Sequence, residues 1–325
     1  MAEKNSKKKK SCKRFSKSQK ILCILLGFLF ILCLCWYLYG NPILQSEQTF
    51  ELEKTVLDDT QIHQNPEFEY AENHPLFLGN PSDATTDVSN DKNYLMDKSQ
   101  FTLSYNNETL CPNWVGWHLS TDDFGEAERA NNFRSDTDLP EGYYRVKKAD
   151  YQFNAYGFDR GHVCPSADRT KTVEDNEMTF LMTNMVPQAP DSNRFVWKDL
   201  ESYERELALE GNELYIFAGP VGSGGSGDKG SFDYIPIKTK SGQVYNMNVP
   251  EFTWKVIIVL PKGEDDFNRI DENTRVISVC IPNQKGVHKS GDWTAYQKSI
   301  DYIEEITKYD FFELLPDNIE NELEN

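Results

Sequence analysis

Residues 156–205 read YGFDRGHVCPSADRTKTVEDNEMTFLMTNMVPQAPDSNRFVWKDLESYER. A cluster of glycine, aromatic and charged residues, Tyr156-Gly157-Phe158-Asp159-Arg160-Gly161-His162, is followed by Asn193, and then by Trp197, Glu201 and Arg205 at intervals of four. Residues spaced by four share one face of a helix. An amide, a carboxylate and a guanidinium do not suit a face that must be buried. They suit the wall of a site, with His162 opposite. Thr179–Thr183 reads as a strand, Pro190 marks a turn, and Asp191 or Ser192 is placed to cap a helix running to about Glu210.

Outward from this stretch the pattern is mostly that of strands. Phe101–Tyr105 and Trp114–Leu119 are separated by Asn106-Asn107, and Glu213–Gly219, Phe252–Leu260 and Arg275–Ile281 are apolar, β-branched runs that stop near Pro or Gly. Asp292–Ile306 carries Tyr296, Ile300, Ile303 and Ile306 at helical spacing. Strands outnumber helices and do not alternate with them, which predicts an α+β domain around an antiparallel sheet. His118, mid-strand between apolar neighbours, reads as a packed structural histidine. Arg129 and Arg134 flank Asn131-Asn132-Phe133 in a loop-like stretch, and read equally well as solvated residues or as phosphate contacts. Gly222–Gly230 lacks the Lys-Ser/Thr ending of a nucleotide-binding loop, and no helical pattern follows it, so it reads as a surface connection.

The ends differ in character. Residues 1–20 sum to +8, which leaves −26 for the rest of a chain whose net charge is −18. That sign excludes holding nucleic acid through a broad basic surface, so any polyanion contact must be a local cluster. Ile21–Tyr39 is uncharged, long enough for a bilayer core and aromatic at its far end. Bulky Leu34, Trp36, Leu38 and Tyr39 stand where a signal-peptide cleavage site needs small residues. The expectation is a basic cytoplasmic tail (1–20), an uncleaved transmembrane anchor (21–39), a flexible acidic linker (40–75) holding solvated His63 and His74, a folded domain (76–316) and a frayed acidic tail (317–325). The chain is then a single-pass inner-membrane protein with its N-terminus inside and its domain in the periplasm. A mitochondrial inner membrane, or secretion after cleavage, is the alternative. Cys111, Cys164 and Cys280 allow at most one disulfide, and no cysteine or histidine spacing suits zinc.

The central stretch carries the parts that phosphodiester cleavage requires: a base for water, charge neutralisation at phosphorus and stabilisation of the leaving oxygen. His162 is the best base, its imidazole being largely neutral at physiological pH. Arg160 offers a planar donor fork, Gly161 permits close backbone approach, and Asp159 pins Arg160 or the local backbone. Asn193, a poor residue inside a helix, offers an oxygen to a hard cation such as Mg²⁺, which tolerates a mostly hydrated site. Glu201 then reaches one of the metal's waters, Arg205 the phosphate, and Trp197 anchors the helix. Taken singly, Asn193 reads as a helix cap and Glu201 with Arg205 as a surface ion pair.

Together, Asp159-Arg160-Gly161-His162, Thr183-Asn184, Pro187-Gln188, Asn193, Trp197, Glu201 and Arg205 resemble the DRGH family of DNA/RNA non-specific endonucleases, the ββα-metal nucleases. The likeness extends more weakly to Pro112–Leu119, Phe133–Asp136 and the closing helix with Asp310-Phe311-Phe312, about residues 76–316 in all. It implies a ββα-metal fold and cleavage of DNA and RNA. It implies His162 as general base, Asn193 as the sole protein ligand of Mg²⁺ (Mn²⁺ being the alternative ion), and Glu201 acting through water. Arg160 or Arg205 would meet the phosphate, with Asn184 and Gln188 beside the substrate and Asp159, Gly161 and Trp197 in support. The family also clamps phosphate with an upstream arginine; alignment puts Asn131 there, between Arg129 and Arg134. Two other readings stand beside this one: a non-catalytic, membrane-tethered nucleic-acid-binding module, and a phosphodiesterase for small nucleotides. Oligomeric state is not legible.

Overall fold

Alternation along the long strands sorts the core into two faces. The computed structural model describes residues 70–325. At its centre is a six-stranded antiparallel sheet of β1 (Tyr94–Lys98), β2 (Phe101–Asn106), β3 (Cys111–Leu119), β6 (Asn212–Val221), β11 (Phe252–Pro261) and β12 (Arg275–Pro282), in that spatial order. The intervening strands are β4 (Asp159–His162) paired with β5 (Met185–Gln188), and two hairpins, β7 (Gly225–Gly227) with β8 (Gly230–Phe232) and β9 (Tyr234–Lys238) with β10 (Val244–Asn248). Side chains alternate across a strand. Trp117, Ile216, Ile257 and Val279 therefore face one way, against Val196, Trp197, Leu200 and Leu207 of the site helix (Lys198–Leu209) and the turn before it. Trp114, Phe217, Trp254 and Val256 face the other way. They meet Ile300 and Ile303 of the Ile300–Thr307 helix, Phe311, Leu315, and Leu323 of the C-terminal helix, Asp317–Glu324. The result is a mixed α/β fold with a central antiparallel sheet.

Several local expectations change. Thr179–Thr183 is not a strand: Met182–Asn184 is a 3₁₀ turn and the strand starts at Met185. The Asp292–Ile306 helix starts only at Ile300, where the Ser299 hydroxyl accepts from Tyr302 N. Residues 317–325, expected to fray, form a helix with Leu323 buried. His74 is not solvated, since its ring stacks on Tyr70 at 4.2 Å and accepts from Leu76 N. Cys111, Cys164 and Cys280 are buried and unpaired.

The placement of the chain in an inner membrane is also corrected. Among the described residues no helix is long and apolar enough to cross a membrane. The stretch that carried that expectation, Ile21–Tyr39, lies outside the described residues, as do residues 1–20 and the linker before Tyr70.

One side chain breaks the apolar pattern of β11. Lys255 points to the same face as Ile257 and is fully buried, as is Glu204 on the site helix. Its ammonium lies 2.8 and 3.1 Å from the two Glu204 oxygens, 4.4 Å from the Trp197 ring centre and 5.3 Å from that of Trp117. Removing one partner of such a pair strands a charge in the interior, at about 3–5 kcal/mol. Lys255→Met should destabilise by that order in urea unfolding at mildly alkaline pH, and Lys255→Met with Glu204→Leu should recover most of it. A single variant as stable as the wild type would show that the pair is dispensable.

Candidate active site

The site begins with the pairing of two short strands. His162 lies opposite Met185, Gly161 opposite Val186 and Asp159 opposite Gln188. A Cβ on Gly161 would run into the Gln188 side chain, so glycine is required here by the neighbouring strand rather than by an approaching ligand. Asn184, fully buried, closes the end of the pair. Its Oδ1 accepts from Cys164 N at 2.9 Å, and its Nδ2 donates to the Cys164 and Thr179 carbonyls at 2.8 and 2.9 Å. Asn184 and Gln188 are thus scaffold, and neither lines the cleft described below.

The helix facing these strands does not begin as an α-helix. Ser192–Trp197 is a π-turn and Lys198–Leu209 is α-helical. No side chain caps its start; the Asp191 Oδ2 accepts instead from Gly286 N at 2.7 Å. In an uninterrupted α-helix each residue advances about 100°, so Asn193 and Glu201 would diverge by about 80°. A π-turn absorbs one extra residue, as π-turns at functional sites commonly do. The two residues are then spaced like a seven-residue interval, about 20° apart. Both line the cleft, while Trp197 turns inward and is buried. The expected face of amide, carboxylate and guanidinium is corrected accordingly: Asn193 and Glu201 share the cleft and Arg205 does not line it, while Trp197 packs in the core.

Asp159 fixes the asparagine. Its Oδ2 accepts from Asn193 Nδ2 at 3.0 Å, and both its oxygens accept from Arg194, at 2.7 and 2.8 Å. It pins these two residues, not Arg160. Holding the amide by its nitrogen leaves Asn193 Oδ1 for the cleft.

That cleft, of about 340 Å³, is lined by Arg129, Arg160, His162, Ser166, Asn193, Arg194, Lys198 and Glu201, with Pro165 and Ala167. His162 is only 8 % exposed and its Nε2 has no hydrogen-bond partner. Phe180 and Phe133 flank its ring at 4.7 and 5.5 Å between ring centres. Burial first, and then the Arg129 and Arg160 cations, push the imidazole down to about 3. It is neutral at physiological pH. The two guanidiniums sit over the same aromatic rings, Arg129 at 4.9 Å from Phe180 and Arg160 at 4.7 Å from Phe133, and Arg160 Nε is unpartnered. Burial pushes the Glu201 carboxyl up to about 8; Lys255 and Arg205 oppose the shift, and Asp168 and Glu204 add to it. One amide oxygen and one carboxylate are a donor set that fits a hydrated hard divalent cation.

Two arginines named from the sequence stand elsewhere. Arg205 donates to Asp168 Oδ1 at 2.9 Å, and Asp168, fully buried, also accepts from Trp117 Nε1 at 3.1 Å. Arg134 donates to the Glu177 carbonyl at 2.6 Å, and its backbone pairs with Phe180 and Met182. Neither lines the cleft. Arg129 does, two residues before Asn131. Its Nε donates to Asn131 Oδ1 at 3.2 Å, so the two belong to one loop turn. Arg194, Lys198 and Ser166 were missed. The first two are four apart and next to Asn193, a basic stripe that was readable; Ser166 gave no signal.

Residues 79–318 match the family model of the DNA/RNA non-specific endonucleases. The chain is 48 % identical over 250 residues to a nuclease of Nostoc sp., across 77 % of this chain and 84 % of that one. It is 32 % identical over 180 residues to the mitochondrial endonuclease G of Homo sapiens, across 52 % and 56 %. The crystal structure of the EndoG/EndoGI complex superposes with a TM-score of 0.56 over 74 % of this chain and 91 % of that one, at 22 % identity, a likeness of fold.

The His162 shift has a consequence for stability. The unfolded imidazole takes a proton near 6.5, and the folded one only near 3. As pH falls below 6.5 the unfolded state binds the extra proton, and at pH 5 this residue should cost ~2 kcal/mol of stability. Urea unfolding at pH 7 and pH 5 should therefore show a larger loss for the wild type than for His162→Ala. Equal losses would mean that the imidazole is not held neutral.

Proposed function

We propose, since this chain belongs to the DNA/RNA non-specific endonuclease family, that it hydrolyses phosphodiester bonds of DNA and RNA with His162 as general base and Asn193 as the protein ligand of a divalent cation, Mg²⁺ or alternatively Mn²⁺. The chain is a hydrolase, a DNA/RNA endonuclease. The observation that carries the residue assignment is the cleft itself. A buried, neutral, unpartnered His162 Nε2 faces a space with Arg129, Arg160, Arg194 and Lys198 around it and Glu201 as the single carboxylate. In a chain of net charge −18 this is a local reversal of sign, which is what attracts a phosphodiester.

His162 Nε2 takes a proton from the attacking water; being neutral, it needs no prior deprotonation. Arg129 and Arg160 present guanidinium forks to the non-bridging phosphate oxygens, with Arg129 as the upstream clamp. When bound, the cation supplies neutralisation of the charge that develops on phosphorus and the leaving oxygen. Asn193 Oδ1 would hold it, and Glu201 would reach one of its waters, giving up its proton to do so. Asp159 positions Asn193. Arg205, through Asp168, positions the site helix instead of touching phosphate. The family match over 79–318 supports 76–316 as the catalytic unit.

The test is degradation of plasmid DNA and of RNA by the full chain, with Mg²⁺ and with EDTA. Loss of a general base removes about 10²–10⁴ in rate, so His162→Ala should fall by that order on both substrates while remaining folded by circular dichroism. Asp159→Ala should act differently, raising the Mg²⁺ concentration needed for half-maximal rate with a smaller change at saturating metal. A folded wild type inert on both nucleic acids with either metal would overturn the assignment in favour of a binding module. A His162→Ala variant of undiminished rate would overturn the base.

A further inference from the structure

On the face of the sheet opposite the cleft, five carboxylates gather in two triads that share one residue. Asp301 and Glu304 come from the Ile300–Thr307 helix, Asp310 from the loop after it, and Glu320 and Glu324 from the C-terminal helix. One oxygen from each of Asp301, Glu304 and Glu324 lies within 4.8 Å of the others, and the same holds for Asp310, Glu320 and Glu324. Glu324, common to both groups, is 8 % exposed, and its Oε1 has no hydrogen-bond partner; nor has Glu320 Oε1. Among the described residues no lysine, arginine or histidine forms an ion pair with any of the five.

Like charges this close, partly withdrawn from water, oppose one another and oppose folding. Burial, reinforced by the neighbouring acids, pushes Glu320 up to about 7 and Glu324 up to about 8. The arrangement needs either protons or a cation. Its geometry fits a cation. Calcium takes six to eight oxygens at roughly 2.3–2.6 Å, so ligand oxygens around one ion stand up to about 5 Å apart. The donors are all carboxylate, with no nitrogen or sulfur, which suits a hard ion and not zinc or copper. Magnesium, smaller and reluctant to shed water, is held by one or two carboxylates more readily than by three. The cleft, with one amide and one carboxylate, has the opposite character.

We propose that Asp301, Glu304 and Glu324 form a second cation site, of the Ca²⁺ class, that fastens the C-terminal helix to the Ile300–Thr307 helix, with Asp310 and Glu320 adjoining it through Glu324. Glu304 also accepts from Phe311 N at 2.7 Å, so an ion held there fixes the loop between the helices as well. The apolar underside of the C-terminal helix, Leu323 with Ile319, is then pressed on the core that holds Phe311 and Ile303.

The test uses the full chain as wild type, as Asn193→Ala, which disables the cleft as a competing cation site, and as the double variant Glu304→Gln with Glu324→Gln. Binding of radiolabelled Ca²⁺ by equilibrium dialysis is read beside thermal unfolding with EDTA and with millimolar Ca²⁺. The wild type and Asn193→Ala should each bind Ca²⁺ at this site and gain several degrees in Tm. The double variant should bind at least about tenfold more weakly and lose the gain. Because glutamine relieves the repulsion, that variant should be no less stable than the wild type in EDTA, so a failure to bind is not a failure to fold. Three results would overturn the site: no Ca²⁺ bound by Asn193→Ala at millimolar concentration, undiminished binding by the double variant, or a wild-type Tm that rises on acidification through pH 7 and ignores Ca²⁺.

Discussion

The site depends on an ammonium group set between two tryptophans and a glutamate. Lys255 reaches out of the middle of the sheet to Glu204, one residue from Arg205, which in turn holds Asp168. Two adjacent residues of one helix are thereby tied to two fixed points, a sheet strand and the turn that follows the histidine strand. Apolar packing would hold the helix against the sheet about as firmly, since buried ion pairs are no stronger than well-packed hydrophobes. What the charges add is direction. Both Glu204 oxygens meet one ammonium, and Arg205 meets a carboxylate with no exposed surface, so the helix has little freedom to slide or roll. The residues that face the cleft inherit that register.

This division of labour accounts for a chain so acidic handling a polyanion. The negative charge is spread over the surface and over the distal helices, while the cations collect around His162. Two of them, Arg129 and Arg160, rest on aromatic rings that also wall the imidazole. Phe133 and Phe180 exclude water from the ring and support the guanidiniums that keep it unprotonated. The same few side chains set position, dielectric and charge.

Much of this was legible in the sequence, because it was local. The strands of the large sheet follow from apolar, β-branched runs, and the motif with its partner helix follows from residue type and spacing. What was not legible needed a third dimension. The π-turn leaves no mark on periodicity: one extra residue in a helix looks like ordinary sequence, and spacing by four put Arg205 on a face that does not reach the cleft. Asn184 and Gln188 belong to the motif, but their burial could not be read from membership. Arg205 was assigned to phosphate because its buried partner, Asp168, lies 37 residues away in the chain. Lys255 was hidden in plain view, since a strand whose other residues are, but for Thr253, aromatic, aliphatic or proline reads as uniformly apolar. Arg129 became distinguishable from Arg134 only when the loop that carries them was seen to place one in the cleft and the other behind it.

The π-turn also bears on how such a chain can change over generations. Winding the segment from Ser192 to Trp197 into a regular α-helix with every residue kept would be a gain in local regularity, yet would swing Asn193 away from Glu201 by about a quarter of a turn, whereas losing one residue there would leave the two aligned. Substitutions that favour a regular helix and selection for activity pull in opposite directions at this one spot. Among descendants, a single-residue gap here would mark copies that reach the same alignment through a regular helix, whereas an ungapped regular helix would part Asn193 from Glu201 even where every named side chain was still in place.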